Sequence, residues 1–174
     1  MTHFFHGEIT QDSVINLVIA IDSDEAQDVD LYFSSSGGDL NMAEVLIDYF
    51  SNSIKNITLI GHWSIESAAL EVFIRSICKK RLLPDAFGMV HLADRSLSLK
   101  SLTKKDPDEM FLVKDVEIYN RRWLQDRKGF FTRQEMSNIK KGIDVYLEHD
   151  RLEDYIKRFG YELLEDEEPH PPLS

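Results

Sequence analysis

Apolar positions along this chain alternate between two spacings. Phe4-Phe5-His6-Gly7-Glu8-Ile9 reads as a short strand and a turn. Thr10 can cap the helix that follows, whose apolar positions Val14, Leu17, Val18 and Ile21 fall three and four apart. After the acidic loop 22–28, Val29-Asp30-Leu31-Tyr32-Phe33 alternates as a second strand. Ser34 to Asp39 is a turn with two glycines, and Ala43, Leu46, Ile47 and Phe50 return to helical spacing. Ile57-Thr58-Leu59-Ile60 is a third strand. Ser67-Ala68-Ala69 opens a helix with Val72, Phe73 and Ile77 inward. Leu82-Leu83 and Met89-Val90-His91 are two more short strands. This alternation predicts an α/β layer fold with parallel strands.

Beyond the charged loop 104–108 the pattern turns helical. Leu112, Val116, Tyr119 and Trp123 mark one face of a long helix ending near Gly129. Thr132 and Glu135 form a capping-box pair before the next helix. Asp144-Val145-Tyr146-Leu147 reads as a strand, and Leu152, Tyr155, Ile156 and Phe159 as a last amphipathic helix stopped by Gly160. The expected layout is one domain over 1–164 and an acidic, proline-rich mobile tail over 165–174.

Composition narrows the function. Of the 174 residues, 43% are apolar and 29% charged, an ordinary globular balance. A net charge of −11 speaks against a nucleic-acid or anionic-membrane partner. No apolar run is long enough to span a bilayer. Met1 to His6 lacks a basic segment followed by an apolar one, so the expected location is cytoplasmic. A single cysteine, Cys78, excludes an internal disulfide and a multi-cysteine zinc site. No motif requires a cofactor or a metal ion.

Three places could carry chemistry. Gly37-Gly38 after a strand can turn sharply and present N–H groups to an oxyanion, or be a plain turn. Ser67 at a helix start gains from the unpaired N–H groups there, or is an N-cap serine. His91 closes a strand, where a general base would sit, or is structural.

Their order and spacing carry a resemblance. Ser34-Ser35-Ser36-Gly37-Gly38, a helix, a strand, Ser67-Ala68-Ala69, Leu83-Pro84-Asp85-Ala86 and Met89-Val90-His91 resemble the Clp protease proteolytic subunit (ClpP) family, part of the ClpP/crotonase superfamily. Gly38 to Ser67 is 29 residues and Ser67 to His91 is 24, which match the family's spacing to within one residue. The resemblance implies a ClpP/crotonase-type fold with stacked βαβ units and a projecting handle helix. It implies a serine endopeptidase that cleaves unfolded peptides in a homo-oligomeric ring. Ser67 would be the nucleophile and His91 its base, with oxyanion N–H groups from Gly38 and Ala68. Asp144 best matches the acid, with Asp150 as runner-up. An ATP-dependent unfoldase is the implied partner, although the family's docking segment before the first strand is not seen here.

The chain also departs from that pattern. Glu66 puts a carboxylate beside the proposed nucleophile, where the family has small residues. A rival register anchored on Gly61 puts Ile65 at the nucleophile position, which would make an inactive subunit acting in assembly. A crotonase-like acyl-CoA enzyme ranks third, because crotonases run longer.

Overall fold

The computed structural model describes residues 1–93 and 107–160. The expected tail 165–174 and the greater part of the expected loop 104–108 lie outside the described residues. The chain divides into two compact units: Met1–Val90 with the chain from Tyr146 onward, and His91–Val145.

The first unit is built on strands β1 (Thr2–His6), β2 (Asp28–Ser35), β3 (Asn56–Glu66), β4 (Lys79–Leu82), β5 (Phe87–Val90) and β6 (Val145–Leu147). They form one sheet in the order β1-β2-β3-β5-β6, with β4 also pairing β3. The β1–β2, β2–β3, β3–β4 and β3–β5 pairings are all parallel, as the alternation predicts. The crossovers are α1 (Gln11–Ser23), α2 (Leu40–Asn52) and α3 (Ala68–Arg75). Thr10 caps α1 through a reciprocal bond with Ser13. Asp39 caps α2, accepting from the Asn41 and Met42 N–H groups.

Parallel strands covered on both faces read as apolar runs, and Leu31, Phe33, Leu59 and Ile60 are accordingly buried. Helix α3 is buried from Ala68 to Ile74, so it lies inside the unit rather than on its surface. Leu152, Tyr155 and Ile156 bury the apolar face of a helix spanning His149–Phe159.

Strand β3 is longer than its sequence suggests. It pairs with β4 over Thr58–Gly61 and with β5 over Ser64–Glu66. Where it changes partner, its register with β2 jumps: Phe33 faces Gly61 and Ser35 faces Ile65. The two extra residues form a bulge at which Trp63 takes φ 53° and stays 59% exposed.

The second unit holds α4 (Pro107–Asp126) and α5 (Arg133–Lys140); the described elements end with α6, the His149–Phe159 helix. Trp123 of α4 stacks on Phe131 with ring centroids 6.0 Å apart, and the Arg127 guanidinium lies 5.1 Å from its ring. At this end the apolar stripe of α4 therefore packs within its own unit. Leu112 lies outside the residues whose side chains are described. Thr132 and Glu135 form the expected capping box on α5. Among the described residues, no helix is long and apolar enough to cross a membrane.

Candidate active site

Ser67 joins β3 to α3, and both elements claim it. Its N–H donates to the Met89 carbonyl at 2.8 Å, carrying the β3–β5 ladder one residue past Glu66. Its own carbonyl accepts from the Leu70 N–H at 3.1 Å, which closes the first turn of α3. Satisfying strand and helix at one residue forces φ 51° and ψ −124°. These are the angles of the first central residue of a type II′ turn, a place glycine ordinarily fills. A non-glycine residue held there stores about 1–3 kcal/mol of strain. The Ser67 side chain makes no capping hydrogen bond to α3, so it is not an ordinary N-cap serine. Ala68 opens the helix, where an N–H has no intrahelical acceptor.

The turn from β2 into α2 lies against this junction. Gly37 takes φ 91° and Gly38 φ 142°. A Cβ on Gly37 would stand 2.8 Å from the Ser67 Cβ and 3.1 Å from the Ala68 nitrogen, so the backbones approach only because residue 37 has no side chain. Ile9 fixes the turn from its other edge. Its N–H donates to the Gly37 carbonyl at 2.7 Å and its carbonyl accepts from the Asp39 N–H at 2.9 Å. In such a parallel bridge the residue between the two bonds directs its own N–H away from its partner strand. The Gly38 N–H is thereby turned away from Ile9.

In the second unit, His91 follows the last residue of β5 and Asp144 precedes the first of β6. His91 Nδ1 lies 3.2 Å from Asp144 Oδ1. A carboxylate oxygen accepts, so a hydrogen bond across this contact has Nδ1 as its donor. Asn120 of α4 bonds both the N–H and the carbonyl of Ala93, each at 2.9 Å, which fixes the chain just beyond His91.

The other sequence candidates fall elsewhere. Asp150 is fully exposed in the first turn of α6, 3.4 Å from His149. Ile65, the rival nucleophile position, is fully buried within β3. Glu66 ends β3, opposite Met89. Burial pushes the Cys78 thiol up to about 11, which makes it a poor nucleophile near neutrality. Among the described residues, no group of side chains is placed to hold a metal ion. Sequence reasoning missed Gly37 as the residue touching Ser67, and it missed the Ile9 strap. The only trace of either was the doubled glycine.

Solved structures decide the fold. A ClpP1 mutant from Listeria monocytogenes superposes with a TM-score of 0.64 at 16% identity, over 95% of this chain and 91% of that one. The ClpP protease catalytic domain from Plasmodium falciparum gives 0.57 at 20% identity, over 99% and 89%. The chain has a ClpP-like fold. The sequence itself matches no family model and no curated protein. In this ClpP-like fold, Ser67, Gly38 and Ala68 belong to the first unit, and His91 and Asp144 to the second.

Proposed function

We propose that this ClpP-like chain is a cytoplasmic serine endopeptidase that cleaves unfolded peptides inside a ring of its own copies. The observation that carries the reading is the strained backbone of Ser67 at the β3–α3 junction, φ 51° and ψ −124°. Strain of this kind persists where the surrounding fold imposes it, and it clusters at sites of chemistry. The 3.2 Å pair of His91 and Asp144 supports it.

In this reading Ser67 Oγ attacks the scissile carbonyl while His91 Nε2 takes its proton. Asp144 holds the ring and stabilises the imidazolium. The oxyanion is held by the Gly38 and Ala68 N–H groups. The C–N bond then breaks, the amine leaves with the His91 proton, and water releases the acyl group by the same steps in reverse. An ATP-dependent unfoldase would supply unfolded substrate.

The test is hydrolysis of a small unstructured peptide by Ser67→Ala and Ser64→Ala. Ser67→Ala is expected to lose nearly all activity and Ser64→Ala to keep most of it, because triad members act as a unit. Full activity in Ser67→Ala would overturn the assignment.

One observation favours a second reading, an inactive subunit. Glu66 directly precedes Ser67, and an anion beside an oxyanion site opposes the charge that develops there. On that reading the assembled wild type cleaves nothing, and Glu66→Gly gains activity.

A further inference from the structure

The second unit carries a cavity of about 590 Å³ whose lining includes four cations, Lys128, Arg133, Lys140 and Lys141, and no carboxylate. All four are exposed, and none is ion-paired to a carboxylate among the described residues. The chain as a whole has 31 acidic and 20 basic residues, so a hollow of purely positive charge runs against its composition. A concave surface of one sign concentrates ligands of the other.

The order of residues on α5 narrows the ligand. Arg133, Met136 and Lys140 fall three and four apart, so they share one face of the helix, and all three line the cavity. Along that face the stripe runs cation, thioether, cation. Seven residues of helix set the two cations about 10 Å apart along the axis. Charge pairs form within about 4 Å, so a lone phosphate or a small dicarboxylate meets one end only. A ligand that engages both ends carries two anionic groups with an apolar group between them. An extended peptide has this pattern. Its side chains at every second residue share a face, and those four residues apart lie about 13 Å from one another. The long, flexible arginine and lysine side chains take up the difference.

We propose that this groove docks an extended acidic segment of a partner protein, with an acid, an apolar residue and an acid at every second position. The outer carboxylates pair with Arg133 and Lys140, and the apolar side chain between them rests on Met136. Lys128 and Lys141 extend the positive lining beyond this stripe and favour further acids in the same segment. The groove involves neither Ser67 nor His91, so its role is independent of the peptidase reading.

The probe is a fluorescein-labelled peptide, Gly-Glu-Ser-Leu-Ser-Glu-Gly, titrated with the full chain and read by anisotropy. Binding is expected with a Kd below about 1 mM at about 0.05 M salt, where exposed charges are weakly screened. Replacing both glutamates of the peptide by glutamine should weaken it roughly fivefold or more, and replacing the leucine by serine roughly threefold. The double variant Arg133→Gln/Lys140→Gln should lose as much as the glutamine peptide does, whereas Lys79→Gln, at an exposed position of the first unit, should change nothing. Arg133 and Lys140 are exposed, so the fold should tolerate the change, and the glutamine peptide makes the same test on the unaltered protein. No binding at about 1 mM would overturn the proposal, as would equal binding of the glutamine peptide or equal binding by the double variant. Tripolyphosphate that displaces the peptide, together with indifference to the leucine, would make the groove a simple anion site and would overturn it. Self-association of the chain that the double variant abolishes, with no binding of the peptide, would assign the groove to a second copy and would also overturn it.

Discussion

Ser67 holds the backbone of a residue that ought to be glycine, and this makes its strain measurable. Ser67→Gly should raise thermal stability. Relief of about 1–3 kcal/mol of strain exceeds the roughly 0.5–1 kcal/mol that glycine loses in backbone entropy. In a chain of this size the melting temperature should rise by a few degrees at about 2–4 °C per kcal/mol. A lower melting temperature would mean that φ 51° carries no strain. A second residue-scale expectation concerns Asp24. The Ala26 N–H, then His3, hold its carboxyl below the usual carboxylate range. A depressed carboxyl contributes stability that is present above the unfolded value, near pH 4, and is lost as pH falls through the folded one. Asp24→Asn should therefore melt below wild type at pH 7, with the gap closing at pH values below about 4. A gap that persists at low pH would contradict this. At this scale Ser67 and His91 were singled out by the resemblance, and the structure puts Ser67 at the β3–α3 junction and His91 directly after β5. The 3.2 Å contact of His91 with Asp144 was not legible, because 53 residues separate them and only the folded chain brings them together. Asp150 looked nearly as good in the sequence and lies in α6 beside His149.

Helix starts were the most legible elements, because a cap is a local device. Thr10, and Thr132 with Glu135, cap where their residue types suggest. Asp39 does the same for α2 one residue beyond Gly38, so it ties helix stability to the glycine turn. Asp39→Ala should cost about 1 kcal/mol by urea unfolding, within the usual range for a lost N-cap. No change in midpoint would show that the Ile9 bonds alone hold the turn. The longest strand was the least legible. The sequence pattern ends the third strand at Ile60, whereas β3 continues to Glu66 by exchanging β4 for β5 at a bulge. That exchange depends on segments distant in sequence, so no local pattern announces it. Read as the strand's last residue, Ile60 gives no hint that Glu66 is the true end of the element.

For the whole molecule, the α/β class and the parallel order followed from alternation, and the ClpP-like fold from motif order. The division at Val90 and Tyr146 was not legible, since hydropathy does not change there. The stripe on α4 suggested a face for other copies. Trp123 proved to be covered by Phe131 and Arg127 of its own unit, so an interface would rest on α4 positions nearer its start. Sedimentation velocity at tens of micromolar should still find a homo-oligomer, at roughly the concentration where a stable interface is populated. A monomer there would remove the chamber from the account. The central claim is that Ser67 is a nucleophile, and reaction with a fluorophosphonate followed by mass mapping of the adduct tests it most directly. The account requires one phosphonyl group on Ser67, formed by the wild type and lost in both Ser67→Ala and His91→Ala. An assembled, folded wild type that forms no adduct, or forms it on another residue, would contradict it.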